Sequence, residues 1–340
     1  MTASGPRFRK PAAPVRVSQA ELVSTGHLEG LPALPLVMRP LAGDVDVAGW
    51  AADSRDEIAG HLRRHGGILL RGFGVDSLDA LRAVVTAVSG GLLEYTERSS
   101  PRTHLSDQVY TSTDHPAQEP IALHCEQSYT LNWPLKIWFL CLQRAQEGGN
   151  TPIADTREIH RRIGADTLER FRAKGVLYVR TYGSGAGLPW QEAFGTTDRA
   201  AVEDHCRRNR IDWTWKDGDL LQTRQVRPAL RTHPHTHEEV WFNHALFFNL
   251  ASLEPAAREA LLAVLAEDEV PYNTFYGDGS RIEASALEEI RAAYDAATVT
   301  FDWEEGDVLL LDNMLVAHGR EPFRGPRRVV VAMSEPCTGG

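Results

Sequence analysis

The clearest periodicities lie in the first third of the chain. In "SRDEIAGHLRRHGG" the apolar positions recur at helical spacing behind Ser54, and the Gly66–Gly67 pair ends the run, which predicts a helix capped by Ser54 and then a short strand, "ILLRGF". "SLDALRAVVTAVSGG" repeats the logic, with Ser77 as cap and Leu78, Leu81, Val84, Val85 and Val88 on one face. Both helices are predicted to pack on a sheet. From Ile121 onward strand signals dominate: "KIWFLCL", "VLYVRTY", "EEVWFN", "TVTFDW", "DVLLLD" and "RRVVVAM". Helices are predicted between them at "DTLERFRAK", "DRAAVEDHCRRN", "EPAAREALLAVLAE" and "SALEEIRAAYDAA". The apolar run in "GDVLLLDNMLVAHGR" reads as one buried strand that delivers His318 at its end.

Residues 1–40, rich in Pro and Ala without a sustained period, are expected to form a partly ordered N-terminal leader, and 41–340 a single domain. The stretch 183–231 reads as a loop-rich, aromatic insertion that covers a site. Many short strands with helices between them predict a mainly β fold with flanking helices, a distorted double-stranded β-helix of the jelly-roll, cupin-like kind.

Composition narrows the function classes. A net charge of −10 over 340 residues argues against nucleic-acid binding, where a basic stripe supplies most of the affinity. No apolar stretch reaches the roughly 18–20 residues of a membrane span, and the first 20 residues lack an apolar signal core, so a cytoplasmic protein is expected. Cys125, Cys141, Cys206 and Cys337 show no paired spacing and are expected to be reduced thiols. An acidic chain gains no long-range attraction for an acidic partner protein and would need a local basic patch for one, such as Arg207, Arg208 and Arg210, a run that is more often simply a solvated helix end.

The candidate chemistry begins at "IALHCEQSYTLNWP". An extended backbone throws residues i and i+2 to one face, so His124 and Glu126 are expected to reach one metal together, with His318 as third ligand. Cys125 between them is expected to point away as a small buried filler. Two imidazoles and one carboxylate leave coordination positions open, the arrangement of non-haem Fe(II) oxygenases. The bare H-x-[DE] pattern is unspecific: in a chain with 13 His and 46 acidic residues chance yields about two matches, and this chain has three. His27/Glu29 and His237/Glu239 lie in polar segments with no supporting context. A zinc site from His233, His235, His237 and His244 is a rival reading, disfavoured by Pro234 and by the absence of a cysteine.

The ordered set "HCEQSY", "WP", "GGNTPIAD", "WFN", "GDGS", "GDVLLLDN", "AHGR" and "GPRRVVVAM" resembles the taurine dioxygenase/clavaminate synthase-like (TauD/TfdA) family of Fe(II)- and 2-oxoglutarate-dependent oxygenases, over about residues 57–333. It is most similar to the branch that contains the syringomycin-pathway hydroxylase. The resemblance implies Fe(II) as cofactor, 2-oxoglutarate and O2 as co-substrates, and succinate and CO2 as co-products. It also implies hydroxylation of an unactivated C–H in an amino acid, a carrier-tethered aminoacyl group or an amino-acid-derived molecule of specialised (antibiotic) metabolism. Desaturation or cyclisation by the same chemistry remains open. Halogenases of this superfamily replace the carboxylate ligand with Gly or Ala, so Glu126 argues against halogenation.

A planar guanidinium suits the distal carboxylate of 2-oxoglutarate best, because its fork matches a carboxylate and stays charged. Strand alternation in "GPRRVVVAM" places Arg327, Val329 and Val331 on one face and Arg328 and Val330 on the other; Arg327 is expected to face the site, with Arg328 as the alternative. Thr151 is expected to donate its hydroxyl to the same carboxylate, as the matching residue does in the family. Arg180, on an apolar strand, and Asn243, in "WFNH", are the candidates for substrate contact. A non-catalytic cupin-type metal-binding module is the reading from another class; under it Thr151 and Arg327 would be arbitrary.

Overall fold

A computed structural model describes residues 22–31, 33–43, 45–94, 104–106, 108–111, 115–185 and 187–339. Its centre is an eight-stranded sheet in which Gly67–Leu70, Val308–Asp312, Asn132–Gln143 and Arg328–Thr338 lie side by side. A four-stranded sheet runs Thr298–Val299, Ile153–Asp155, Val316–Arg320 and Ile121–His124. This is the jelly-roll architecture expected from the strand pattern.

The long strands of the larger sheet are apolar on both faces because both faces are covered. Ile137, Phe139, Cys141, Leu309, Leu311, Val329, Val331 and Met333 enter the main core with residues of the smaller sheet. The alternate positions Trp138, Leu140, Val308, Leu310, Val330 and Ala332 pack in a second core with Ile58, Leu62, Leu81, Val84 and Val85 from helices Arg55–His65 and Leu78–Ser89. Helix Leu78–Ser89 starts where Ser77 accepts the N–H of Ala80 and stops at the left-handed Gly90, as its sequence predicts. Helix Arg55–His65 also ends at its glycine, Gly66, but Ser54 makes no side-chain cap bond. A preceding helix, Val47–Asp53, runs straight into Ser54, whose N–H is already bonded to Trp50.

Four expectations are corrected. Residues 1–21 of the expected leader lie outside the described residues, but Val23–Gly26 and Leu36–Pro40 form strands, the second pairing in parallel with Gly67–Leu70. The apolar "LPLVM" thus joins the fold before residue 41. "TVTFDW" yields only the two-residue strand Thr298–Val299; its Phe301 and Trp303 instead pack as core side chains. The segment 183–231 is largely regular structure: helices Trp190–Phe194 and Arg199–Arg208 and strands Asp212–Lys216, Leu220–Arg227 and Leu230–Thr232. Its aromatic character reflects a small core of its own, in which Tyr182, Trp190, Val202, Cys206, Ile211 and Leu221 pack together.

The fourth correction concerns "GDVLLLDNMLVAHGR". It is two strands, Val308–Asp312 in the larger sheet and Val316–Arg320 in the smaller. The chain turns because Asp312 Oδ1 accepts the N–H groups of Met314 and Leu315, at 3.0 and 3.2 Å, offering them an alternative to ladder bonds. The chain from Ile121–His124 to Asn132–Gln143 crosses between the same two sheets, so the segments carrying Glu126 and Asn313 are neighbours.

Strand Val308–Asp312 is pinned at its start by a buried ion pair. Arg71 meets Asp307 through two hydrogen bonds, at 3.0 and 2.6 Å. Burial pushes the Asp307 carboxyl up, against the pull of Arg71. Asp307→Asn keeps the shape but removes the charge from a charge-assisted pair, and is expected to lower stability by about 1–3 kcal/mol. Chemical denaturation measures this; a change below about 0.5 kcal/mol would show the pair to be dispensable.

Candidate active site

The register of the smaller sheet places His318 opposite His124, so the two imidazoles share one face with ring centroids 4.5 Å apart. The strands come this close because Gly319 has no side chain: a Cβ there would lie 2.6 Å from the carbonyl oxygen of Ile121. His124 Nδ1 lies 3.0 Å from the carbonyl of Ala122. A carbonyl only accepts, so Nδ1 carries the proton and Nε2 presents its lone pair.

Glu126 does not sit on an extended segment as expected. The strand ends at His124 and Glu126 lies in the following turn, where Gln127 takes the uncommon φ of 55°. The turn nevertheless brings its carboxylate to the two histidines: one donor atom from each of His124, Glu126 and His318 lies within 4.8 Å of the others. Metal–donor bonds of roughly 2.0–2.2 Å bring three donors on one side of an ion into this range, so the donor set fits one cation. Among the described residues this is the sole cluster of three or more His, Cys, Asp or Glu with such spacing, and the His233–His237 tract is not one. Glu126 and His318 are buried, at 2% and 5% exposure, while His124 is half-buried. Cys125 turns into the core as expected, and burial pushes its thiol far up.

Thr151 and the bonding partner of Arg327, Gly149, lie on the segment that leads into the strand paired with His318. Gly149 turns with φ of 74° and accepts a 2.7 Å hydrogen bond from Arg327 Nε, two residues before Thr151. The smaller sheet pairs Ile153 with His318, and beyond that pair the N–H of Gly319 bonds the carbonyl of Pro152. Thr151 is buried, and its hydroxyl accepts from Trp303 Nε1 at 3.2 Å. Arg327 is held in a desolvated place: burial first, then the nearby Arg320, pushes its pKa down to about 10, so it keeps its charge at neutral pH. Arg328, by contrast, is exposed. Arg320 itself, read only as part of "AHGR", is a buried clamp whose guanidinium donates to the carbonyls of His115, Pro116 and Glu119.

The two candidates for substrate contact are placed differently. Asn243 is buried with its amide engaged by the backbone, donating to Ala229 at 2.8 Å and accepting from Ala245 at 2.8 Å. It shapes the turn. Its neighbour His244 faces the cluster, with its ring 5.7 Å from that of His124 and its Nδ1 2.6 Å from Ser128 Oγ. Burial first, and then His124, hold the His244 imidazole well below the usual range, so it is neutral. Only its position next to Asn243 in "WFNH" hinted at this. Tyr129, Phe247 and Phe248 pack around His244 at 5.0, 5.1 and 4.7 Å.

Arg180 is 4% exposed on strand Val176–Tyr182, and its guanidinium lies 4.8–5.3 Å from the rings of Tyr182, Tyr272 and Tyr129. Rings within this distance attract the guanidinium electrostatically. Beside it a small pocket, lined by Tyr182, Phe194, Ile211, Thr223 and Gln225, lies against the 183–231 segment. Further out on that segment, Arg207 is paired with Asp204, which reduces the net positive charge of the run. Among the described residues no helix is long and apolar enough to cross a membrane.

The chain has clear relatives. The dapdiamide synthesis protein DdaC of Enterobacter agglomerans is 41% identical over 281 residues, covering 83% of this chain and 84% of the relative. A clavaminate synthase-like protein of Arabidopsis thaliana is 29% identical over 283 residues, covering 80% and 82%. Among solved structures, PvcB of Pseudomonas aeruginosa superposes with a TM-score of 0.56 at 18% identity, covering 92% of this chain and 91% of the other, which is a likeness of fold. The taurine catabolism dioxygenase TauD, TfdA family matches residues 37–333, a span that holds every candidate residue above. The chain therefore belongs to the TauD/TfdA family of dioxygenases.

Proposed function

We propose that the protein is an Fe(II)- and 2-oxoglutarate-dependent oxygenase that hydroxylates an amino acid or an amino-acid-derived small molecule, free or carrier-tethered, in a specialised biosynthetic pathway. The observation that carries this reading is the cluster of His124, Glu126 and His318 together with a half-buried arginine, Arg327, which bonds Gly149 on the segment leading to the strand beside His318. A structural metal site has no use for a desolvated guanidinium beside it. The relatedness to a dapdiamide synthesis protein supports the small, amino-acid-like substrate class.

In this reading the Nε2 of His124, the Glu126 carboxylate and a ring nitrogen of His318 hold the iron. Bound iron, with 2-oxoglutarate and O2 as co-substrates, would supply the oxidising chemistry, with succinate and CO2 as co-products. The chain's own groups bind, orient and dry the site. Arg327 supplies the charge for the far carboxylate of 2-oxoglutarate and Thr151 a hydroxyl for the same group. Tyr129, Phe247 and Phe248 exclude water from the metal side, which strengthens every electrostatic contact inside. Arg180, separated from His244 by the Tyr129 ring, receives a carboxylate of the substrate, and the segment 183–231 closes over it.

Anaerobic titration tests the reaction class. Protein given Fe(II) and then 2-oxoglutarate is expected to develop a weak visible charge-transfer band that needs both components. If no band forms although Fe(II) binds, the metal centre belongs to a cupin-type binding module and the oxygenase reading is lost. With O2 and a panel of free and carrier-tethered amino acids, mass spectrometry is expected to find a product one oxygen atom heavier; a product two hydrogens lighter would identify desaturation or cyclisation instead.

A further inference from the structure

The turn that carries Glu126 is held by a side chain from a distant part of the chain. Asn313 is fully buried. Its Oδ1 accepts the N–H of Glu126 at 2.7 Å, and its Nδ2 donates to the carbonyl of Glu126 and to that of Pro134, each at 2.9 Å. One amide therefore bonds both backbone groups of a single residue, as a partner residue does in an antiparallel ladder. It does so where the real ladder has stopped, because the strand ends at His124 and Gln127 has already turned into the left-handed region.

Asn313 is itself fixed on every side. Its own N–H donates to the carbonyl of Leu135 at 2.8 Å. The preceding Asp312 caps Met314 and Leu315 with one carboxylate oxygen and meets His233 Nε2 at 2.9 Å with the other. His233 Nδ1 accepts the N–H groups of His235 and Thr236, so its proton resides on Nε2 and points at Asp312. The His-rich tract, disfavoured as a metal site on its sequence, thus braces the corner next to one.

We propose that Asn313 is a positioning residue for Glu126, an inference that rests on Glu126 being an iron ligand. The corner that starts the strand bearing His318 also grips the backbone of Glu126, so one side chain sets where the carboxylate stands relative to the histidine. The chemistry explains why it is an asparagine. The position must accept one hydrogen bond and donate two in a dry environment; aspartate would offer only acceptors to two carbonyls, and leucine would leave three buried backbone groups unsatisfied.

The test compares wild type, Asn313→Asp and Asn313→Ala for Fe(II) and Zn(II) affinity, by competition with a chelator, and for melting temperature with and without metal. Both variants are expected to bind either metal about 10–100-fold more weakly, the usual effect of losing a group that orients a ligand. The rise in melting temperature on adding metal is expected to shrink accordingly. A purely structural role would lower the melting temperature of the metal-free protein and leave the metal-induced rise unchanged. Metal affinity within twofold of wild type in both variants overturns the proposal. Should neither variant fold, Asn313→Gln, which keeps both polar functions one methylene further out, is expected to show the same weakening. A Glu126→Ala background separates the two inferences. There Asn313→Asp is expected to cause no further loss, and an equal loss in both backgrounds would mean that Asn313 does not act through Glu126. Glu126→Ala binding metal as tightly as wild type would sink the ligand assignment instead.

Discussion

Replacing any one of His124, Glu126 or His318 by alanine is expected to end turnover while leaving the fold intact. The three groups lie in a strand, a turn and a second strand that meet on one face, and none is a hub of the main apolar core. Disturbing a group that merely orients a ligand costs roughly 10–100-fold in metal affinity, so deleting the ligand itself should cost more than about 100-fold. Activity falls further, because two ligands no longer fix which positions face the substrate. Circular dichroism and metal-free melting should stay close to wild type. A purified alanine variant with wild-type turnover would remove that residue from the metal centre. Glu126→Ala carries the most information, since it vacates the same position that halogenases of the superfamily leave open.

Arg327 and its neighbour should separate sharply. Arg327 is half-buried just before its strand and tied to Gly149, whereas Arg328, the first residue of the strand, is exposed. If Arg327 holds the distal carboxylate of 2-oxoglutarate, Arg327→Ala breaks a charge pair in a dry place. That typically costs about 3–5 kcal/mol, or two to three orders of magnitude and more in co-substrate affinity. Arg328→Ala should change that affinity by less than about threefold, the scale of an exposed charge. Iron affinity without 2-oxoglutarate should be unchanged in both. Titrating 2-oxoglutarate into the Fe(II)-loaded variants and following the charge-transfer band measures the difference. A large loss in Arg328→Ala with a small one in Arg327→Ala would mean that the co-substrate lies on the opposite face, and small effects in both would place its anchor elsewhere.

Features with local causes were legible in the sequence. Helix Leu78–Ser89 follows from a serine, a glycine and one apolar face, all within a few residues of one another. The apolar alternation from Val329 to Met333 also holds, because a covered strand cannot slip by one residue without turning its apolar set outward; Arg327 lies just before the strand, and the register shifts between Arg328 and Val329. What stayed hidden depends on side chains that bond backbone groups, which the apolar pattern does not register. "GDVLLLDNMLVAHGR" looks like one strand until the Asp312 carboxylate caps two N–H groups and the chain changes sheets. Glu126 keeps its place although it leaves the strand, because residue 313 supplies the missing ladder partner. Asn243 and His244 are adjacent and both polar, and only the positions of Ala229 and Ala245 decide that the first faces backbone and the second the site.

The small core of the 183–231 segment has a consequence for how this protein can change. Trp190, Val202, Cys206 and Ile211 pack with one another and with Tyr182 and Leu221, outside the main core that surrounds the histidines. Substitutions at sites without shared partners add nearly independently. If that segment forms the wall facing an incoming molecule, as proposed above, substitutions within its small core should have little effect on the energetics of the metal centre. Lineages that share the iron-binding face can diverge in what they accept, and directed evolution of acceptance should draw its useful mutations from that segment first.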